Sequence, residues 1–349
     1  MRSTNLRAGL LALVLFAGLC GSLLIPAHRG HAAPASAQDG AGGAQVPQAQ
    51  QSQGGGPIKA EVNLVQLFAT VRDSHHSFVN NLTKEDFKVY EDGVEQTVKN
   101  FSKEVDMPIT LALLIDTSGS EQNMLGAEQD AGSRFVHEVM RKKDLAMVMS
   151  FDLDANLLAD FTEDTSILER ALRKTQINAS MGGGGTAPTI DPGNIGTVFY
   201  DAVYLACHDQ LRDQAGRKAV IALTDAEDNG SKMRPGDAIE SAQRSDAVIH
   251  IILVTDRRFS MGFGGGFNSG LSVAKRMTED TGGRVIEVHS ESHLEQAFDE
   301  ISQELRQQYV LGYYPTNEKR DGSFRKIKLE TTKSEFKVLT RKGYYAPRH

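Results

Sequence analysis

Between residues 108 and 307 the chain repeats one pattern: an apolar run of five to seven residues, a polar or glycine-containing break, then a stretch whose apolar residues recur at helical spacing. This alternation constrains the fold more than any other feature. Short apolar strands separated by amphipathic helices bury their surface best in a mostly parallel sheet with helices on both faces. Strands are expected at residues 109–115, 145–151, 218–223, 248–254 and 284–288, and helices at 122–141, 166–175, 198–212, 235–244, 269–281 and 292–307. Several of these helices end in basic residues, which suit the negative pole of a helix. The whole span, 108–307, fits one doubly wound α/β domain.

The flanks follow a different period. Residues 59–72, 87–91 and 95–102 read as strands, broken by turn signals at Asp73-Ser74-His75-His76, Asn80-Asn81 and Asp92-Gly93. Residues 308–314, 324–330 and 335–340 read as strands again. Neither flank has enough strands to bury a face alone, whereas six together would. The expectation is therefore one β-sandwich, built from residues 58–105 and 308–349 and interrupted by the α/β domain; two separate β appendages are the competing reading.

The amino terminus concerns destination. Residues 1–37 carry Arg2 and Arg7, then an apolar run from Ala8 to Ile25, and end in Ala35-Ser36-Ala37, the arrangement that signal peptidase favours. Cleavage is expected after Ala33 or Ala37, an uncleaved anchor being the rival because the run is long. Leu19 stands before Cys20 where a lipoprotein signal wants a small residue. Either way the rest is expected outside the cytoplasm, periplasmic or secreted, with no membrane span once the signal is removed. Residues 38–57, nearly all Gly, Gln, Ala, Ser and Pro, read as a disordered linker. Removing residues 1–37 takes away Arg2, Arg7 and Arg29 and no acid, which moves the formal net charge from −7 to about −10 and makes nucleic acid a poor partner. Only Cys207 then remains, so no internal disulfide can form and the fold must rest on its core.

In an open α/β sheet, ligands gather at the carboxyl ends of the strands. Directly after the first central strand stands Asp116-Thr117-Ser118-Gly119-Ser120, which puts a carboxylate and two hydroxyls at alternate positions of one tight loop. Asp225 follows the apolar run 219–223 and should reach the same edge, and Thr197 opens the helix beginning at Val198. These five are hard oxygen donors of the kind Mg²⁺ prefers, with Mn²⁺ or Ca²⁺ as alternatives. Two carboxylates balance one divalent cation, leaving a near-neutral site. Magnesium wants six ligands, so a coordination position stays open for an incoming Asp or Glu carboxylate.

The Asp116-x-Ser118-x-Ser120 loop with Thr197 and the strand-end Asp225 resembles the metal-ion-dependent adhesion site of von Willebrand factor A domains, over about 200 residues. The resemblance implies that Asp116, Ser118, Ser120, Thr197 and Asp225 coordinate the cation, directly or through water. Many bacterial members have Gly-Gly-Thr and Thr-Asp-Gly where this chain has Ile195-Gly196-Thr197 and Thr224-Asp225-Ala226, which makes Thr186 the substitute for Thr197. The flanking segments, with Leu82-Thr83-Lys84-Glu85-Asp86-Phe87, Val89-Tyr90-Glu91-Asp92-Gly93 and Tyr309-Val310-Leu311-Gly312-Tyr313, resemble those around the A domain in a bacterial exported family typical of acidobacteria.

Other chemistries are poorly served. The Gly-rich stretches 182–185 and 262–266 lack the Gly-Lys-Ser/Thr ending of a P-loop and the spacing of a dinucleotide fingerprint. Ser118 stands where haloacid-dehalogenase-type phosphatases need a second Asp, no G-x-S-x-G elbow is present, and His289 with His293 lacks the order of a zinc hydrolase. The sequence therefore predicts a non-enzymatic, extracytoplasmic protein-binding or adhesion module. A structural assembly subunit whose metal does not bridge, and a metal-dependent hydrolase, are the alternatives.

Overall fold

The computed structural model describes residues 64–104, 107–177, 196–254 and 267–348, all within one compact unit, residues 60–349. The expected signal and linker lie outside the described residues. Four strands come first: β1 (Val65–Arg72), β2 (Phe87–Glu91), β3 (Val94–Gln96) and β4 (Val98–Glu104). The turn between β2 and β3 is Asp92-Gly93, with φ of 48° and 84°. Two successive left-handed residues are what a tight hairpin with right-twisted strands requires.

The α/β region follows with β5 (Ile109–Asp116), α1 (Leu125–Val139), β6 (Leu145–Phe151), β7 (Ala155–Thr162), α2 (Thr165–Leu172), α3 (Phe199–Leu205), β8 (Arg217–Thr224), α4 (Pro235–Arg244), β9 (Ala247–Val254), α5 (Phe267–Thr281), β10 (Val285–Val288) and α6 (Glu291–Arg306). Its six-stranded sheet has the order β10-β9-β8-β5-β6-β7. All neighbours are parallel except β7, which runs antiparallel to β6. Every residue of β5 is buried, the signature of a strand covered on both faces. Ile109, Leu111, Leu113 and Ile115 face a core shared with α1, α2 and α6, while Ala112 and Leu114 face the core of α3, α4 and α5.

The sequence did not predict β7. Its run Ala-Asn-Leu-Leu-Ala-Asp-Phe-Thr is only partly buried at the sheet edge, so it lacks the continuous apolar character of its neighbours. The helix expected from residue 198 to 212 changes to a π-helical turn after α3, over Ala206–Leu211. The helix expected from residue 122 starts only at Leu125, after a 3₁₀ turn at Gly119–Glu121.

Four more strands complete the chain: β11 (Gln308–Tyr313), β12 (Phe324–Thr331), β13 (Lys337–Leu339) and β14 (Gly343–Tyr345). With the first four they form two sheets, β13-β1-β11-β4 and β14-β12-β2-β3, each mixing strands from before and after the α/β region. Between them Leu67, Ala69, Val89, Tyr309, Leu311, Tyr313 and Ile327 form one core. Separate appendages would not give this pairing. The expected three strands on each side are four, because Thr97 divides β3 from β4 and β14 was not foreseen.

The chain enters the α/β region from β4 and leaves it into β11, and these two strands pair antiparallel with Gln308 opposite Glu104. One buried carboxylate ties this crossing. Asp144 accepts the amides of Ile109 and Arg141, each at 2.8 Å, and pairs with Arg306, which also donates to the carbonyl of Val139 at 2.7 Å. Beside it, Glu304 of α6 takes Arg72 of β1 at 3.2 Å and Arg284 at 2.8 Å. At the far end of α5, a Cβ on Gly282 would lie 2.6 Å from the amide nitrogen of Arg341, so that helix abuts the segment between β13 and β14. Removing one partner of a buried pair leaves the other charge uncompensated. Asp144→Ala is expected to lower stability by about 3–5 kcal/mol in urea unfolding.

Candidate metal centre

The chain order turns about β5: β6 lies on one side and β8 on the other. This is the switch point of the sheet, where a crevice opens at the carboxyl ends of the strands. Asp116 is the last residue of β5 and is fully buried. In the parallel register Ile115 stands opposite Leu223, so Asp116 is level with the end of β8. Its Oδ2 accepts the Thr224 hydroxyl at 2.5 Å and its Oδ1 accepts the amide of Ser118 at 2.9 Å. Thr117 donates through its hydroxyl to the carbonyl of Phe151 at 3.2 Å and to the carboxylate of Asp152 at 3.0 Å, which pins the loop to the end of β6. The Ser118 and Ser120 hydroxyls are 3.0 Å apart.

Asp225 follows β8 immediately and accepts the Glu227 amide at 3.0 Å. The next residue, Ala226, has φ of 58°. That is left-handed backbone, which favours glycine, and it is the position where the resemblance leads one to expect Gly. Gly270 of α5 lies against this turn: a Cβ there would be 2.9 Å from the carbonyl oxygen of Ala226.

Thr197 is buried, and its carbonyl accepts the amides of Asn229 and Gly230, each at 3.2 Å. The amide of Val198 donates to the carbonyl of Asp152 at 2.8 Å. These contacts put the loop before α3 at the same sheet edge. Among the described residues no hydrogen bond joins the Thr197 hydroxyl to either aspartate; Thr186 lies outside the described residues.

Two acids at this edge escaped the sequence reading. One oxygen each of Asp116, Glu121 and Asp225 lies within 4.8 Å of the others. Glu128, seven residues after Glu121, is also fully buried. The available signal was their placement on the apolar side of a helix, in line with Leu125, Ala131 and Phe135, where a charge is out of pattern. Burial raises all four carboxyls. Asp116 moves to about 7, with the charge of Asp225 adding to burial. Glu128 moves to about 8, with Asp116 adding. Glu121 lies well above the ordinary range through burial and then Glu128, and Asp225 is raised chiefly by burial. Among the described residues none of the four forms a salt bridge.

These shifts fix the sign of a pH effect. An acid whose folded-state pKa is raised holds its proton in the native state after the unfolded chain has released it, so stability present at low pH is lost as pH rises through the folded value. The window runs from the ordinary values of 3.8 and 4.5 up to about 7 for Asp116 and about 8 for Glu128. In chelator, the thermal midpoint is expected to fall between pH 5.5 and 7.5, and Mg²⁺ at pH 7.5 should restore it.

Residues 111–227, from within β5 to just beyond Asp225, match the family model described as von Willebrand factor type A domain. No curated protein matches the chain. Among solved structures, BatB from Bacteroides thetaiotaomicron is similar at 18% identity, over 57% of this chain and 99% of that one, with a TM-score of 0.42. The von Willebrand factor domain of the type V pili tip protein Mfa5 from Porphyromonas gingivalis is similar at 16% identity, over 57% and 95%, with a TM-score of 0.41. Proximal thread matrix protein 1 from the mussel byssus, in the form with a zinc-occupied MIDAS motif, is similar at 16% identity over 62% of this chain and 49% of that one, with a TM-score of 0.44. The matched stretch, residues 111–227 of 349, lies in the region that forms the six-stranded, mostly parallel sheet and is similar to a von Willebrand factor type A domain.

Proposed function

We propose that this chain is an exported, extracytoplasmic protein-binding or adhesion module. Its A domain holds one divalent cation and through it captures an Asp or Glu carboxylate of a protein partner. The observation that supports this most directly is the convergence of the buried Asp116 and the half-buried Asp225, acids from two adjacent strand ends with no basic side chain paired to them among the described residues. A buried charge without a partner is costly, and a cation is the compensation that a set of hard oxygen donors selects.

The residues fit that use. Asp116 and Asp225 supply carboxylates, and Ser118 and Ser120 stand as hydroxyl donors on a loop held by Thr117. Thr197 stands on a loop of the same edge. Mg²⁺ is the expected cation, with Mn²⁺ or Ca²⁺ as alternatives. When bound, it supplies a positive centre that a partner carboxylate can complete. Thr224 and the Ser118 amide meanwhile orient the carboxylate of Asp116. The chain without residues 1–37 carries about −10, so long-range attraction to an acidic partner is absent and recognition must come from such a local positive centre.

We read the site as binding and not catalytic, since the Ser118 hydroxyl meets Ser120 and Asp116 and no histidine. Export rests on residues 1–37; among the described residues no helix is long and apolar enough to cross a membrane.

Calorimetric titration of Mg²⁺ into the purified chain and into Asp116→Ala tests the reading. Binding by the chain that Asp116→Ala abolishes is expected, and partner capture should then be lost in chelator. No binding by the unaltered chain would remove the cation mechanism. Partner binding that survives chelation would favour a structural assembly subunit.

A further inference from the structure

We propose that Glu121 is a third carboxylate ligand of the cation, one that the Asp-x-Ser-x-Ser loop does not by itself supply. This rests on the reading that the site binds a divalent ion. Glu121 follows Ser120 directly and closes the 3₁₀ turn that leads into α1. It is only 2% exposed, beside the fully buried Asp116. Octahedral ligands about 2.1 Å from a cation stand about 3–4.2 Å from one another. The mutual 4.8 Å limit within which oxygens of Asp116, Glu121 and Asp225 fall is only slightly wider, so small side-chain rotations bring all three onto one ion.

Glu128 supplies the independent observation. It is 0% exposed and faces Glu121, and among the described residues its oxygens meet no hydrogen-bond partner other than the Glu121 carboxyl. An unsatisfied carboxyl buried among three others costs several kcal/mol if it only fills space. Nothing basic approaches it among the described residues, so the compensation must come from ions or protons brought to the cluster. Glu121 is the member placed to pass that demand to the cation, being the one whose oxygen shares the convergent point with Asp116 and Asp225.

The assignment changes the charge of the site. Asp116 and Asp225 neutralise one divalent ion; ionised Glu121 takes the assembly to −1. An incoming partner carboxylate then competes with a carboxylate of this chain for its coordination position. The same residue thus tightens the grip on metal and opposes premature capture of an acidic group.

Calorimetric titration of Mn²⁺ into the full chain, Glu121→Gln and Asp116→Ala decides it, with melting curves in chelator as a check that each variant is folded. Gln keeps the shape of Glu and removes its charge. The expected result is that Asp116→Ala abolishes binding and that Glu121→Gln weakens it at least about 10-fold, since loss of a group that merely orients a ligand already costs about 10- to 100-fold. Its chelator-treated midpoint should not fall below that of the unaltered chain, because a buried acid has been removed. Glu121→Gln that binds Mn²⁺ as tightly as the unaltered chain, while Asp116→Ala does not bind, overturns the assignment and leaves the cation reading intact. Absence of Mn²⁺ binding by the unaltered chain overturns both.

Discussion

Both ends of the α/β region hang on the carboxylate of Asp144. It accepts the first amide of β5, holds the turn that ends α1, and pairs with Arg306 at the end of α6. A domain inserted into a β-sandwich must begin and end at nearly one point, since the two strands that receive it are neighbours in a sheet. The pairing of β4 with β11 meets that demand on the sandwich side, and Asp144 meets it on the other. With the start of β5 fixed in this way, its eight buried residues place Asp116 at the opposite edge. Asp116 of the candidate metal centre therefore inherits its position from a contact at the far end of the same strand.

The two ends of β5 solve opposite electrostatic problems. At the amino end Asp144 is buried with two amides and a guanidinium, so its oxygens find their partners within the chain. At the carboxyl end the buried Asp116, Glu121 and Glu128 and the half-buried Asp225 meet hydroxyls, amides and one another. Hydroxyl and amide donors orient a carboxylate without neutralising it, and burial, joined by neighbouring carboxylates at Asp116, Glu121 and Glu128, raises the pKa values. An arrangement of this kind is stable when protonated or when a cation is supplied. The first favours the fold at low pH; the second is the use proposed for the site.

Much of this was legible in the sequence because two periodicities are strong. Residues 109–115 and 218–223 could be placed as buried parallel strands from their unbroken apolar character, and that placement alone brings Asp116 and Asp225 to one edge. What escaped had weaker local signals. β7 is an edge strand with one face open, so its pattern is neither continuous nor cleanly alternating. Glu121 and Glu128 were passed over because acids near a helix start are ordinarily solvated and favoured by the helix dipole. Only their register with Leu125 and Phe135 distinguishes them, and that register means nothing until the helix is docked. The left-handed Ala226 was anticipated only as a departure from a glycine; its φ is set by the tight return of the chain after Asp225.

Gly270 and Gly282 stand near the two ends of α5, and each meets backbone where a methyl group would not fit: the carbonyl of Ala226 beside Asp225 at one end, the Thr340-Arg341 peptide of the sandwich at the other. A helix of this length, 15 residues or about 22 Å, is stiff on that scale. It acts as a strut with no clearance at either bearing. The spacing between the Asp225 turn and the sandwich is thus set by the number of residues in one helix, and an insertion or deletion within it would have to be absorbed by that turn or by the sandwich.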